Sequence, residues 1–161
     1  MNKIHIFWRG PFSLEEAKKE AADNYGLYQY YGGHPIYGVD ALLYIGRAAF
    51  ENPIEKRLKD HVHENWSSIP IQIFIGNIIS EKRLTDIIWN KHIELAEELL
   101  IYSHGPAWNS SNIKSIKYEK FKTVHIFNWG HRAKLLPEVS YERWGGWGNS
   151  KPDELHFQNE F

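Results

Sequence analysis

Glu97 is the acidic residue whose position is hardest to explain by solubility alone. On a helix spanning 81–103 it falls between Ile93 and Ile101, with Ala96 and Leu100 beside it, whereas Glu98 joins Glu94 and Lys91 on a polar edge. A carboxylate in the middle of an apolar face is either paired with a cation or holds a metal ion, and Arg57 is a candidate cation. Arg57 and His61 are four apart on a second helix, 53–63, and border its stripe of Ile54, Leu58 and Val62. Taken alone, such a pair reads first as an ordinary solvated flank. Tyr28 and Tyr44 lie on strands, Gly26 two residues before the first and Gly46 then Arg47 just after the second; their ordinary alternative is cross-strand packing. After the helix of Glu97 come His104, Pro106, Trp108 and Asn109, whose polar groups can face back toward it.

Composition removes several other chemistries. The 161-residue chain has no cysteine, which excludes disulfide scaffolds, thiol nucleophiles and cysteine-based zinc modules. Its nine histidines form none of the spaced pairs typical of helical zinc sites, since His61 and His63 point apart. There is no Walker loop, dinucleotide fingerprint or nucleophile elbow. With 42% hydrophobic and 24% charged residues the chain has the balance of an ordinary folded domain, and the 15% aromatic share is high. The first residues lack the apolar run of a signal peptide and no stretch is long enough to span a membrane, so a cytoplasmic location is expected. The net charge of −1 argues against nucleic acid as a partner. That total hides an asymmetry, because 114–134 carries six basic residues and one acid, while 135–161 carries two and five.

The elements that must position these residues follow from local pattern. A strand is expected over 3–8, then a helix opened by Ser13 with Glu16 three residues on, running to about Ala22. Residues 25–31 and 41–46 read as a hairpin with Gly32 and Gly33 in its turn. Asn52 and Pro53 cap the helix that carries Arg57. The run 70–79 reads as a strand covered on both faces, and Gly105 with Pro106 stops the long helix. A further strand is expected over 122–128, and its VHIFNWG echoes IHIFWRG near the start as a similar flanking strand. The tail from Tyr141 mixes Gly, Pro and acids with Trp144, Trp147 and Phe157. One α+β domain is expected over 1–161: a small antiparallel sheet flanked by helices over 25–112, a strand-helix extension over 1–24, and a basic strand with an aromatic, acidic tail over 113–161.

In order along the chain, Gly26-Leu27-Tyr28, Tyr44-Ile45-Gly46, Arg57, Glu97 and Asn109 resemble the GIY-YIG nuclease family. Tyr44 to Arg47 followed by Lys56-Arg57-Leu58 looks like the arginine helix of the family's repair nucleases. Glu97, with Ile101, Pro106 and Asn109 four, nine and twelve positions on, looks like their metal-binding helix. Arg57 with His61 is similar to the Arg/His helix of some restriction enzymes of the family. The resemblance covers roughly 85 of 161 residues. This chain departs from the pattern in having Leu27 for isoleucine, fifteen residues between the two tyrosines, Arg47 where many members have lysine, and no cysteine-rich zinc module.

The resemblance implies a metal-dependent endonuclease. Glu97 would hold one Mg²⁺ or Mn²⁺, Tyr28 would act as general base on the attacking water, and Arg57 would grip the scissile phosphate with Arg47 near it. Tyr44 and His61 would orient water or phosphate, and Asn109 would brace the loop beyond Glu97. Lys114, Lys117 and Lys120 are expected to join Arg47 and Asn109 in a nucleic-acid surface. DNA is the expected substrate, with RNA the other polymer that fits, and a lone catalytic domain that cuts both strands would work as a homodimer. The alternative is a catalytically inactive module of the same fold that holds nucleic acid through Trp108, Trp129 and the basic stretch; a third reading is a scaffold assembled through its aromatic tail.

Overall fold

Residues 2–21, 25–49, 54–61, 67, 69–80 and 84–141 are described by the computed structural model. The first strand, β1 (Asn2–Phe12), runs into α1 (Leu14–Glu20) through the capping box expected at Ser13. The Glu16 carboxylate accepts from the Ser13 backbone amide at 2.8 Å, and Glu16 N donates to the Ser13 hydroxyl at 3.4 Å. The fold is α+β, but its sheet is neither small nor wholly antiparallel. Six strands run in the order β3-β2-β4-β1-β5-β6, with β2 (Gly26–His34), β3 (Gly38–Ala48), β4 (Gln72–Ile79), β5 (Val124–Gly130) and β6 (Glu138–Ser140). β1 pairs antiparallel with β4 and parallel with β5. The two echoing segments are therefore neighbours, and because Ile4 faces Ile126 and Ile6 faces Asn128, their buried positions stay in phase. β1 is an interior strand, against the expectation of a flanking one.

The hairpin turn lies at 35–37, and Gly32 and Gly33 belong to β2 instead. Their use is close approach: a Cβ on Gly32 would stand 2.6 Å from the Ser67 hydroxyl, which also accepts from Gly33 N at 2.7 Å. The turn itself is held by His34, whose Nδ1 accepts from the amides of Ile36 and Tyr37. Between Tyr30 and Tyr31 the pairing slips, with Tyr30 opposite Tyr44 and Tyr31 opposite Leu42. The extra residue is a β-bulge that puts Leu43 and Tyr44 on the same side of the sheet.

Two helical layers cover the sheet. α3 (Asp86–His104) packs Ile93, Leu95, Ala96, Leu99, Leu100 and Ile101 against Ile4, Ile6, Leu27 and Ile45 on one side. α1 and α2 (Ile54–His61) cover the other side through Ala17, Ile54 and Leu58, against Tyr28, Tyr30, Ile73 and Ile75. α3 starts later than the spacing predicts, because the Thr85 hydroxyl accepts from Ile88 N and caps it there, and Ile87 and Ile88 stay exposed. It ends as expected on Gly105 in the left-handed region, φ 54°, with the Gly105 amide bonded to Ile101 O. A short α4 (Tyr118–Phe121), which no periodicity announced, adds the buried Phe121 to the core. Among the described residues the second layer stops short of β5, and His5, Phe7, Ile79 and Trp129 line an open cavity of about 750 Å³ on that face. Among the described residues no helix is long and apolar enough to cross a membrane. The expected Asn52-Pro53 cap, Val62, the first turn at 81–83 and the tail from 142 lie outside the described residues.

Candidate active site

β3 is one edge strand of the sheet, and the two helical layers meet beside it: α2 brings Arg57 from one side and α3 brings Glu97 from the other. Tyr28, Tyr44, Arg47, Arg57, Glu97 and Asn109 all line one cavity of about 340 Å³ at this edge. Tyr28 belongs to the next strand inward and reaches the cavity across Gly46, its register partner. A Cβ there would stand 2.5 Å from the Tyr28 hydroxyl and 2.6 Å from the Tyr44 ring. The Tyr28 hydroxyl donates to the oxygen of Tyr44, and the two ring centroids are 6.0 Å apart. Tyr30 completes a cluster of three rings, 5.4 Å from Tyr28 and 5.8 Å from Tyr44. Its i+2 spacing from Tyr28 on a strand is the signal that could have placed it there.

Asn109 explains why the loop after α3 stays on the edge. Its Oδ1 accepts from Ile45 N and its Nδ2 donates to Ile45 O, both at 2.9 Å. Ala107 N and Trp108 N donate to the carbonyls of Leu42 and Leu43. Residues 107–109 thus follow β3 and leave 46–47 to the cavity. With both bonds made to the Ile45 backbone, Asn109 braces the loop at the cavity that it lines.

Charge is arranged asymmetrically. Glu97, with 17% of its side chain exposed, pairs with Arg47, Nε to Oε2 at 2.8 Å, and Arg57, the candidate cation, also acts on it electrostatically. Burial is the larger influence and pushes the Glu97 carboxyl up to about 7; Arg47 and Arg57 oppose it and Glu98 adds to it. Burial also raises the Tyr28 phenol far above its ordinary value, reinforced by Tyr30 and Tyr44, with Arg57 pulling the other way. Tyr44 is raised for the same first reason. In this state both phenols are neutral donors, whereas a base role needs the phenol lowered. Arg47 and Arg57 also line a neighbouring cavity of about 480 Å³ with Asn90 and Lys91, so two guanidinium groups stand between two openings.

No protein-family model matches the chain, and no curated protein or solved structure matches it either.

The remaining expected residues are elsewhere. His61 is the last residue of α2, and its side chain lies outside the described residues. Lys120 donates to Glu94 at 2.6 Å and Glu98 at 2.7 Å, so its charge is taken up along α3. Lys114 and Lys117 are exposed and do not line the cavity. His104 turns away from Glu97: its Nδ1 bonds Leu100 O and its Nε2 accepts from Leu136 N, and burial lowers its pKa, as suits a structural neutral imidazole. Ser110, Ser111 and Asn112, which sequence reasoning passed over, add polar groups to the cavity wall.

No set of three or more histidine, aspartate or glutamate side chains that could cage a metal occurs among the described residues. The cavity offers one carboxylate, with Oε2 already facing Arg47. Such a donor set suits only a hard cation that keeps most of its water, which is how Mg²⁺ binds with one or two carboxylates. Glu97 is the carboxylate that could meet that requirement; Arg47 reaches it through both its guanidinium and its backbone amide, and burial gives it a strong electrostatic incentive to take a counter-charge.

Proposed function

We propose that the protein is a cytoplasmic metal-dependent endonuclease of the GIY-YIG type that hydrolyses phosphodiester bonds in DNA. The observation that carries this reading is the convergence of Tyr28, Tyr44, Arg47, Arg57 and Glu97 on one cavity from four separate elements. Hydrolysis of a phosphodiester requires an oriented water, compensation of charge on the phosphoryl oxygens, and stabilisation of the departing alkoxide. Arg57, with Arg47 beside it, supplies planar donors suited to phosphate oxygens. Glu97 would hold a single Mg²⁺ or Mn²⁺, which as a Lewis acid would supply charge stabilisation in the transition state. Tyr28 would take the proton of the attacking water while Tyr44 orients it. That role requires the phenolate: Tyr28 would first give up its own proton to solvent, and Arg57, which acts to lower the Tyr28 pKa against the effect of burial, favours that form.

Plasmid nicking with Mg²⁺ or Mn²⁺, with EDTA as control, tests the proposal. Cleavage by the wild type, lost in Tyr28→Phe and Glu97→Ala with the fold intact, is the expected result. Full activity in either variant, or cleavage that EDTA leaves untouched, would overturn the assignment. The alternative of an inactive binding module draws together Trp108 and Trp129, yet these lie far apart. Trp108 stands at the β3 edge and Trp129 on β5, with three strands between them. A single stacking surface using both is therefore less favoured than the nuclease reading.

A further inference from the structure

Trp108 ties the candidate cavity to an array of aromatic rings. It lines the cavity, is 43% exposed, and belongs to neither core cluster. Its ring meets His34 at 5.2 Å with a 59° tilt, and His34 stacks on Tyr37 at 4.7 Å and 24°. Tyr37, at the hairpin tip, is 67% exposed. The array is held in place at both ends. The Trp108 backbone is bonded to Leu43 O at 2.8 Å, and the His34 ring is fixed by the two amides that its Nδ1 accepts. Aromatic surface clustered and held at the rim of a polar cavity is the kind of patch that marks a ligand-binding site.

Continuous duplex DNA is a poor candidate for that occupant. Its bases cover one another's faces and present only edges in the grooves. A base offers its face to a protein ring only when it is unstacked, as in single strands, mismatches and branch points. Stacking of this kind tolerates any base and needs no hydrogen-bond readout. Trp108 shares the cavity with Arg57 and Arg47, so a strand whose phosphate rests on the guanidinium groups carries its next base toward the indole.

We propose that Trp108, backed by His34 and Tyr37, is a stacking platform for an unpaired DNA base next to the bound phosphate. The favoured substrate is then DNA in which a base beside the cut is already unstacked. This inference rests on the nuclease reading for the identity of the substrate, but its test reads binding without cleavage. Fluorescence anisotropy in EDTA compares a labelled single-stranded oligonucleotide with the same sequence as a blunt duplex, for the wild type, Trp108→Ala, Trp108→Phe and Tyr37→Ala. Trp108→Ala should weaken single-strand binding about 5- to 150-fold, the range of losing one base–aromatic stack, and duplex binding less than about twofold. Trp108→Phe should recover most of the loss. A 2-aminopurine placed at a mismatch should be quenched on binding by the wild type and not by Trp108→Ala, and the duplex binding that this variant keeps separates loss of stacking from misfolding. Equal losses on single strand and duplex, no loss on either, or a wild type that does not bind single strands, would overturn the platform. A wild type that cuts DNA while Trp108→Ala binds normally removes the platform alone. Selective loss in Trp108→Ala with no cleavage by the wild type removes the nuclease reading alone.

Discussion

Tyr28 reaches the candidate site only because Gly46 has no side chain: a Cβ on Gly46 would stand 2.5 Å from the Tyr28 hydroxyl. The two residues face each other across β2 and β3, so the phenol passes over the neighbouring strand and meets Tyr44 at its outer edge. The tyrosine on one motif strand and the glycine on the other form a single geometric device.

Gly46→Ala should therefore act on the site through Tyr28. The added methyl meets Tyr28 and Tyr44 together, and overpacking of this kind costs about 1–3 kcal/mol. Thermal unfolding should show a modest fall in Tm, and nicking activity should fall at least about tenfold as the phenol is displaced. Activity at the wild-type level would mean that the position of the Tyr28 hydroxyl is immaterial.

Asn109 is expected to matter for position. Asn109→Ala removes both bonds to the Ile45 backbone and should cost about 1–3 kcal/mol, since a partly buried amide and carbonyl lose their partners. Hydrogen exchange at the Ile45 amide should accelerate in this variant more than at its strand neighbours. Unchanged protection at Ile45 would contradict the brace.

Glu97 links stability to pH with a definite sign. Its folded-state pKa is raised to about 7 from 4.5, so between those values the folded protein binds more proton than the unfolded chain. The stabilising contribution is complete below the ordinary carboxylate range and is lost as pH rises toward 7 and beyond. In EDTA, the Tm of the wild type should fall relative to Glu97→Gln between pH 5 and pH 8. Parallel curves for the two proteins would show that the carboxyl does not titrate there. Adding Mg²⁺ or Mn²⁺ at pH 8 should raise the Tm of the wild type and leave Glu97→Gln unmoved, because a ligand stabilises the state that binds it.

What the sequence made legible was local. Ser13 with Glu16, Gly105 after the long helix and the apolar run of β4 each depend on neighbours within a few positions, and each forms the element expected of it. Gly32 and Gly33 misled because glycine serves tight turns and close approach alike, and only the fold brings Ser67 against them. Glu97 stood out as a buried acid, but that Arg47 also pairs with it was not legible, because that contact depends on how α3 crosses the edge of β3. The basic stretch was legible as composition only: Lys120 is turned toward Glu94 and Glu98 by the packing of α4 against α3. The bulge that places Leu43 and Tyr44 on one side has no sequence mark, since it is fixed by pairing with β2.

Arg57 offers a kinetic test of what the cavity does. Its guanidinium is felt electrostatically by Tyr28, Tyr44 and Glu97 together, so its charge is directed at the centre of the site. If that charge meets a phosphoryl group as negative charge builds on it, Arg57→Ala removes an interaction stronger in the transition state than in the bound substrate. Loss of one such donor lowers kcat about 10²- to 10³-fold. The same substitution should change KM only a few-fold, and Arg57→Lys should restore little, because a point charge does not reproduce two parallel donors. Steady-state cleavage of an oligonucleotide substrate reads the two constants separately. A rise in KM with kcat unchanged would instead assign Arg57 to uniform binding of the strand.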